Sequence, residues 1–234
     1  IDTALIPHLK TNVLDAVYFY GAGCVPDKVP MMYNALSTHL NTKNGIEVNT
    51  DMLAVARGLC GHKPGIACIM GTGSNSCFYD GEKIVSNVSP LGFILGDEGS
   101  GAVLGKLLVG DMLKNQMTPE LKEKFLNKTG LTPPEIIDRV YRQPFPNRFL
   151  ASLSPFLAEN IQEPSVHALV LGSFKAFFQR NVMQYDYKNH PVHFIGSVAY
   201  HYQDILHEAA RELEIQITTI VKSPMQGLMT FHQS

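Results

Sequence analysis

Residues 65–90 read GIACIMGTGSNSCFYDGEKIVSNVSP. Apolar runs alternate here with short groups of glycine and polar residues, which is typical of strands joined by tight turns. Asp80-Gly81 is a strong hairpin signal, because this dipeptide favours turns that match the twist of paired strands. The stretch therefore predicts strand, turn, strand, turn, strand, and the hairpins indicate that its sheet is mixed.

Strands and helices alternate on both sides of this stretch. Toward the amino terminus the pattern predicts strand, helix, strand and capped helix, at 15–23, 30–40, 45–48 and 49–61. Toward the carboxyl terminus it predicts a helix, a largely helical region, a strand–glycine turn–helix unit, a strand and a short helix, at 97–113, 118–188, 191–213, 215–220 and 223–232. Such alternation indicates an α/β fold, and the break near Gly61–Gly65 is a candidate lobe boundary.

The composition is typical of a soluble globular protein. Of the 234 residues, 45% are hydrophobic and 17% charged, and the net charge is −2. A nucleic-acid or membrane-surface partner would need a basic stripe, and a membrane span would need about 18 consecutive apolar residues. Neither is present, so we expect no nucleic-acid and no membrane partner. The four cysteines form no C-x-x-C pair, which indicates a reducing, cytoplasmic setting.

The segment GTGSNS at 71–76 is the first candidate site. Gly71 and Gly73 allow a ligand to approach the main chain, and successive N–H groups in such a turn can converge on an anion. The hydroxyl and amide side chains that follow could bind the same ligand. The segment also fits an ordinary hairpin turn, and both interpretations stay open. It is not a dinucleotide fingerprint, because Ser76 stands at the third glycine position.

Two carboxylates in LGDEGSGAVLG, at 95–105, form the second candidate site. Asp97 and Glu98 are expected at or just before a helix N-terminus, where the helix dipole alone could explain them. Four glycines within ten residues, however, lower the helix propensity unless a close approach requires them.

Two weaker candidates lie elsewhere in the chain. Asp51 in NTDML is a helix cap or a general base that faces a hydroxyl nucleophile. Gly196 and Ser197, in HFIGSVA, end a buried strand and begin a helix, a common way to pack a nucleotide against the backbone. No H-E-x-x-H zinc pattern and no G-x-S-x-G serine elbow occurs.

Four stretches in this order resemble a known family, at 49–58, 65–76, 96–105 and 193–199. They read NTDMLAVARG, GIACIMGTGSNS, GDEGSGAVLG and HFIGSVA. They are similar to the N-acetylglucosamine kinases of the BadF/BadG/BcrA/BcrD ATPase family, in the actin-like, sugar-kinase and heat-shock ATPase superfamily. The pairing of GTGSN with GDEGS about twenty residues later is specific to that kinase branch, whereas the other glycine turns are common to the superfamily.

The resemblance implies an α/β fold with two ribonuclease H-like lobes, mixed sheets and a helical insertion, closing on ATP and sugar. Residues 1–62 would be the remainder of the amino-terminal lobe, and 63–234 the carboxyl-terminal ATP- and sugar-binding lobe. The activity implied is ATP- and magnesium-dependent phosphorylation of the C6 hydroxyl of an amino sugar, most simply N-acetylglucosamine. Pairing of two copies into a homodimer stays open.

Site residues follow from the same resemblance. Asp51 would be the catalytic base. The ATP-binding residues would be Gly71, Thr72, Gly73, Ser74, Gly196 and Ser197. The substrate-binding residues would be Asn75, Gly92, Asp97 and Glu98.

The chain departs from the family pattern in two places. The family's first phosphate loop, an amino-terminal D-x-G-x-T/S turn whose aspartate helps to hold magnesium, does not occur in the sequence. We expect the natural protein to carry that segment, and the chain without it not to be a competent kinase. Leu91 stands where the animal enzymes carry a tryptophan near the sugar, which implies a different acyl pocket.

Two alternatives share the fold. One is a BadF-type ATPase that activates a dehydratase through an iron–sulfur cluster bridged by cysteines at a subunit interface, for which Cys24 is the candidate. The other is a sugar-binding regulator that has lost the chemistry. An acid at position 51 favours the enzyme, because a regulator needs none.

Overall fold

The computed structural model describes residues 1–233, which contain seven strands and twelve α-helices. The strands are β1 (Val17–Gly21), β2 (Ile46–Thr50), β3 (Gly65–Met70), β4 (Ser74–Tyr79), β5 (Ile84–Val88), β6 (Val192–Ile195) and β7 (Ile217–Val221). The helices are α1 (Val29–Ser37), α2 (Asp51–Cys60), α3 (Gly92–Leu95), α4 (Gly101–Leu113), α5 (Pro119–Thr129), α6 (Pro133–Tyr141), α7 (Pro146–Ser152), α8 (Ser154–Glu159), α9 (Pro164–Arg180), α10 (Ser197–His201), α11 (Gln203–Glu212) and α12 (Met225–Phe231).

The strands form two sheets. β1 and β2 pair in parallel as a two-stranded sheet, and the other five have the order β5-β4-β3-β6-β7. In the larger sheet β3, β6 and β7 are parallel, whereas β4 is antiparallel to both β3 and β5. The predicted mixed α/β architecture is confirmed, and it places the carboxyl ends of β3, β6 and β7 at one edge.

The larger sheet is covered on both faces. On one face, α2 packs Met52 and Val55 against Ala67 and Ile195. On the other, α4, α9 and α11 enclose the main core, in which Phe174, Phe177, Phe178 and Phe194 are fully buried. Among residues 1–233 we find no helix with the length and apolar character that crossing a membrane requires.

The direction of α2 matters for the site. A Cβ at Gly65, the first residue of β3, would lie 2.8 Å from the Cys60 Sγ at the end of α2. Met52, near the start of α2, packs with Ile195, the last residue of β6. The helix therefore runs antiparallel to β3 and brings its N-terminus to the carboxyl edge of the sheet.

Three local predictions need correction. GTGSNS is not one loop: β4 begins at Ser74, so the turn spans only residues 71–73. The helix expected from 97 begins at Gly101, and Ser100 caps it through a hydrogen bond from the Val103 N–H to its Oγ. The helix expected across 197–213 ends at His201 and restarts at Gln203.

Arg57 of α2 joins both ends of the chain. Its Nη1 donates hydrogen bonds to the Tyr20 hydroxyl at 2.8 Å and to Glu47 Oε1 at 2.7 Å. Its guanidinium lies over the Phe231 ring, 5.1 Å from the centroid, and the Tyr20 hydroxyl also bonds His232 Nε2 at 2.8 Å. One side chain thus links β1, β2, α2 and the carboxyl-terminal helix.

Replacing Arg57 with Met should destabilise the protein. Met keeps much of the apolar stem but leaves the partly buried Glu47 carboxylate without its charge partner, so we expect a loss of about 2 kcal/mol. For a chain of this size that corresponds to a fall in Tm of roughly 4–8 °C. Arg142→Met is the matched control, because that side chain is 81% exposed and its pair with Asp138 is long at 3.9 Å. Equal Tm shifts in the two variants would contradict the linking role.

Candidate active site at the carboxyl edge of the larger sheet

Two glycine turns meet at this edge because β3 and β6 are parallel neighbours. A Cβ at Gly196 would lie 2.3 Å from the Met70 carbonyl oxygen and 3.3 Å from the Gly71 nitrogen. Gly196 also has φ of +122°, a conformation that side chains other than glycine rarely adopt. Close backbone contact between the turns therefore requires glycine here.

The turn at 71–73 is tied to the start of α4. The Gly101 N–H donates to the Gly71 carbonyl at 2.8 Å, and the Ala102 N–H donates to the Thr72 carbonyl at 3.1 Å. The first donors of α4 are thus used within the protein. By contrast, the N–H groups of Thr72 and Gly73 make no hydrogen bond within residues 1–233, so they can receive an anion.

Asp97 lies directly against this turn. A Cβ at Gly73 would lie 3.0 Å from Asp97 Oδ2, so the carboxyl lies against the start of β4. Burial raises the pKa of Asp97, and the neighbouring Ser74 backbone opposes that rise. The backbone of Asp97 has φ of +53°, and its N–H donates to the Pro90 carbonyl at 2.9 Å. The carboxyl is held by the loop rather than used as a helix cap.

Glu98 points into a neighbouring cleft of about 240 Å³. Its Oε1 pairs with Arg180 Nε at 2.7 Å, and its Oε2 accepts from Asn181 Nδ2 at 3.3 Å. Both oxygens therefore have protein partners. Gly92, with φ of +74°, begins α3 beside this cleft, and Leu91 is 59% exposed at its rim.

Asp51 is the first residue of α2 but does not cap it. Thr50 is the cap, since its Oγ accepts from the Leu53 N–H at 3.2 Å. Asp51 Oδ1 accepts from the Met52 N–H at 2.8 Å. Burial raises the pKa of the Asp51 carboxyl, and the bond from Met52 opposes the rise. The carboxylate lies on a cleft of about 630 Å³ between β1, α2 and α12.

Asn75 is on the same side of the sheet as Asp51. It is paired across the hairpin with Ile69, which packs against the cluster of Met52 and Val55 under α2. Directly paired residues project from the same face, so the Asn75 side chain projects toward α2. Asp51 and Asn75 thus lie on the same face of the larger sheet, near the carboxyl ends of its parallel strands.

The structure brings together part of the predicted set. The turn at 71–74, Asp97 and Gly196 are in direct contact, and Ser197 follows Gly196 as the first residue of α10. Glu98 lines the adjacent cleft, and Gly92 follows Leu91 of its lining. Within residues 1–233 no hydrogen bond or ion pair joins Asp51 to the turn.

Four residues near the site were missed by sequence reasoning. They are Asn87, Arg180, Asn181 and Tyr185. The Tyr185 hydroxyl donates to the Ser76 carbonyl at 2.9 Å and accepts from the Val88 N–H at 2.8 Å, which supports the hairpin. Asn181 bonds Glu98 across 83 residues of sequence, so no local pattern could have found it.

Among solved structures, the chain is similar to a protein from Porphyromonas gingivalis that is provisionally named an N-acetylglucosamine kinase. The two are 54% identical, and the match covers 93% of this chain and 77% of that one with a TM-score of 0.91. The chain belongs to the family of this sugar kinase. The expected α/β fold class is confirmed for the sugar-kinase chain.

Two more distant matches show the fold alone. A provisionally named N-acetylglucosamine kinase from Chromobacterium violaceum is 20% identical, with 92% of this kinase chain and 75% of that chain covered and a TM-score of 0.71. A ROK hexokinase from Thermus thermophilus is 12% identical, with coverages of 93% and 78% and a TM-score of 0.52. No family model and no curated protein matches the kinase chain.

Proposed function

We propose that this chain forms the core of an ATP-dependent kinase that phosphorylates the C6 hydroxyl of an amino sugar, most simply N-acetylglucosamine. The observation that carries the proposal is the 54% identity to the Porphyromonas gingivalis kinase over 93% of the chain. We place the enzyme in the BadF/BadG/BcrA/BcrD ATPase family, with a lobe boundary between residues 62 and 63, on the sequence motifs alone.

The nucleotide would bind along the two glycine turns. The unpaired N–H groups of Thr72 and Gly73 suit phosphate oxygens, because backbone donors in such a turn converge on an anion. Gly71 and Ser74 hold the turn's shape through their bonds to α4 and to the Glu98 carbonyl. Gly196, which lies against the same turn, and Ser197, which follows it as the first residue of α10, would line the adenosine.

Asp51 would act as the general base on the sugar hydroxyl. Phosphoryl transfer depends mainly on positioning and charge stabilisation, and the base accepts the proton of the attacking hydroxyl. Asn75, on the same face and edge, and Asp97, beside the phosphate turn, would bind the sugar between them. Glu98 and Gly92 would shape the substrate side, with the Glu98 carboxylate fixed by Arg180.

Magnesium would accompany the nucleotide. Within residues 1–233 no three His, Cys, Asp or Glu side chains are grouped to hold a metal ion. In kinases Mg²⁺ is commonly held by one or two carboxylates together with substrate phosphates, so the donor set here fits a metal delivered as its ATP complex.

The dehydratase-activator alternative fits less well. Cys24, the candidate cluster ligand, is only 5% exposed and packs with Leu36, Leu40 and Val48. A thiol in that position is not presented for a cluster shared between subunits.

The test is sugar-dependent ADP release by the purified protein, with ATP, magnesium and a panel of hexosamines and hexoses. We expect turnover with N-acetylglucosamine and a product phosphorylated at C6. No sugar-dependent ADP release across the panel would reject the proposal. Sugar binding by calorimetry without any turnover would instead indicate a regulator.

The pH dependence of kcat/KM should follow the ionisation of the Asp51 carboxyl. The base works only when ionised, so kcat/KM should fall as the pH drops through its pKa. Because burial raises that pKa, the acidic limb should lie above the value near 4 of an exposed aspartate. The measurement is kcat/KM from pH 4 to pH 9. An acidic limb that persists unchanged in the residual activity of Asp51→Asn would show that another group titrates.

A further inference from the structure

The two ends of the Asn75 side chain are chemically opposite, so its orientation decides which ligand atom it can bind. The amide oxygen only accepts hydrogen bonds, and the amide nitrogen only donates them. Which end faces a neighbour is fixed by the surrounding donors and acceptors. Here the neighbouring donors allow only one orientation of the Asn75 amide.

Two donors select the Asn75 oxygen. The Ser76 N–H donates to Asn75 Oδ1 at 2.9 Å, and Asn87 Nδ2 donates to the same atom at 2.9 Å. Backbone N–H groups cannot accept, so the first bond alone requires oxygen at that position.

Asn87 is itself fixed by the backbone. Its Nδ2 donates to the Ser76 carbonyl oxygen at 2.6 Å, and a carbonyl cannot donate. Asn87 lies on β5 opposite Cys77, so its side chain projects from the same face as Asn75. The carbonyl fixes Asn87, and Asn87 with the Ser76 N–H then fixes Asn75.

The remaining end of Asn75 is free. Its Nδ2 makes no hydrogen bond within residues 1–233, and the side chain is only partly buried on the face that carries Asp51. The nearby acids Asp51 and Asp97 can only accept when ionised. Asn75 therefore adds a neutral side-chain donor beside these two acidic side chains.

We propose that Asn87 is a positioning residue that holds the Asn75 amide so that it presents only its N–H donors to an acceptor oxygen of the sugar. The proposal rests on the kinase function proposed above. It predicts that the Asn75 N–H donors bind the lone pairs of one oxygen of the sugar. The enzyme would therefore select sugars that have an acceptor at that place.

The kinetic test uses Asn87→Ala and N-acetylglucosamine derivatives in which one hydroxyl at a time, other than the reacting C6 hydroxyl, is replaced by hydrogen or by fluorine. Fluorine accepts a hydrogen bond weakly, and hydrogen does not. At one position the wild-type KM should rise more for hydrogen than for fluorine. In Asn87→Ala the KM of N-acetylglucosamine should rise roughly 3- to 10-fold, because a lost hydrogen bond is of that size, while kcat stays within about twofold of wild type. The hydrogen–fluorine difference, which is the difference in KM between the deoxy and the fluoro derivative at that position, should shrink.

Two further variants sharpen the result. Asn87→Asp keeps the shape but removes the donor, so it should lose at least as much as Asn87→Ala. Ser86→Ala, at an exposed neighbour on β5, should behave as wild type. Wild-type KM and an unchanged hydrogen–fluorine difference in Asn87→Ala would overturn the proposal.

An arm without turnover separates this inference from the kinase function. In ¹⁵N-labelled protein the side-chain amide signals are assigned by their loss in Asn75→Asp and Asn87→Asp. Without sugar, the Asn87 amide protons should be shifted and protected relative to those of exposed Asn127, whereas the Asn75 amide protons should resemble Asn127. The reverse pattern overturns the proposed orientation, whether or not the protein phosphorylates any sugar.

Discussion

Asp51→Asn is expected to lower kcat with N-acetylglucosamine by about 100-fold or more, while the sugar KM changes little. The amide has the same shape and can still accept the Met52 N–H, but it cannot take the proton of the sugar hydroxyl. Thr50 remains the cap, so α2 keeps its start. The measurement is steady-state kinetics on the purified protein, with sugar binding followed separately by calorimetry.

Stability separates loss of chemistry from loss of fold. Burial raises the pKa of Asp51, so the folded state binds its proton more tightly than the unfolded state. The ionised form at neutral pH therefore reduces stability, and Asp51→Asn should leave Tm unchanged or higher. Asp204→Asn, which changes an exposed acid in the first turn of α11, is the matched control. A near-normal rate in Asp51→Asn would mean that the carboxylate is not the base.

Gly196→Ala is expected to be the most destabilising single-methyl change at the site. The added Cβ would overlap the Met70 carbonyl at 2.3 Å, and φ of +122° is strained for alanine. Overpacking and backbone strain together suggest a loss of about 3 kcal/mol. Thermal unfolding should show Tm lower by roughly 6–12 °C, and activity should fall because the two glycine turns separate.

Gly172→Ala is the control for that variant. Gly172 lies within α9, and apart from the adjoining backbone of its own helix and its chain neighbours nothing within residues 1–233 lies within 4 Å of the position its Cβ would take. Alanine in a helix interior is favoured over glycine by roughly 0.5–1 kcal/mol, so Tm should stay level or rise. A Tm for Gly196→Ala close to that of Gly172→Ala would show that the two glycine turns can move apart without a loss of stability.

The fold was largely predictable because its signals are local. Asp80-Gly81 predicted the hairpin, and the cap candidates Asn49, Thr50 and Asp51 before a helix-favouring run predicted α2. The boundary at GTGSNS was wrong because polar residues suggested a loop. Ser74 and Ser76 are instead buried in β4, where the Glu98 carbonyl and the Tyr185 hydroxyl satisfy their hydroxyls.

The glycines of α4 show the same limit of sequence reasoning. Their density suggested close approach by some partner, and for Gly105 the partner is the chain itself. A Cβ there would lie 2.0 Å from the Leu150 carbonyl of α7. The glycines in the sequence predicted a close approach to the backbone of α4. Only the packing of α7 on α4 identifies the approaching group as the Leu150 carbonyl.

Glu98 could be predicted as a site residue but not its surroundings. Arg180, which forms the ion pair with Glu98, is the last residue of α9. The pairing depends on how this long helix packs across the sheet. The orientation of Asn75 depends likewise on Asn87 of the next strand. Such partners are set by tertiary register, which a single sequence does not encode in any short window.

The Arg57 linkage has a consequence for how the chain folds. The Tyr20 hydroxyl and His232 are separated by 212 positions, so this contact cannot form until all of the chain between them is available. The β1–β2 pair therefore lacks part of its support until α12 has folded against it. Contacts of such long range form slowly, because the intervening chain must be ordered before they contribute. The two-stranded β1–β2 sheet is therefore among the later parts of the fold to gain its full set of contacts.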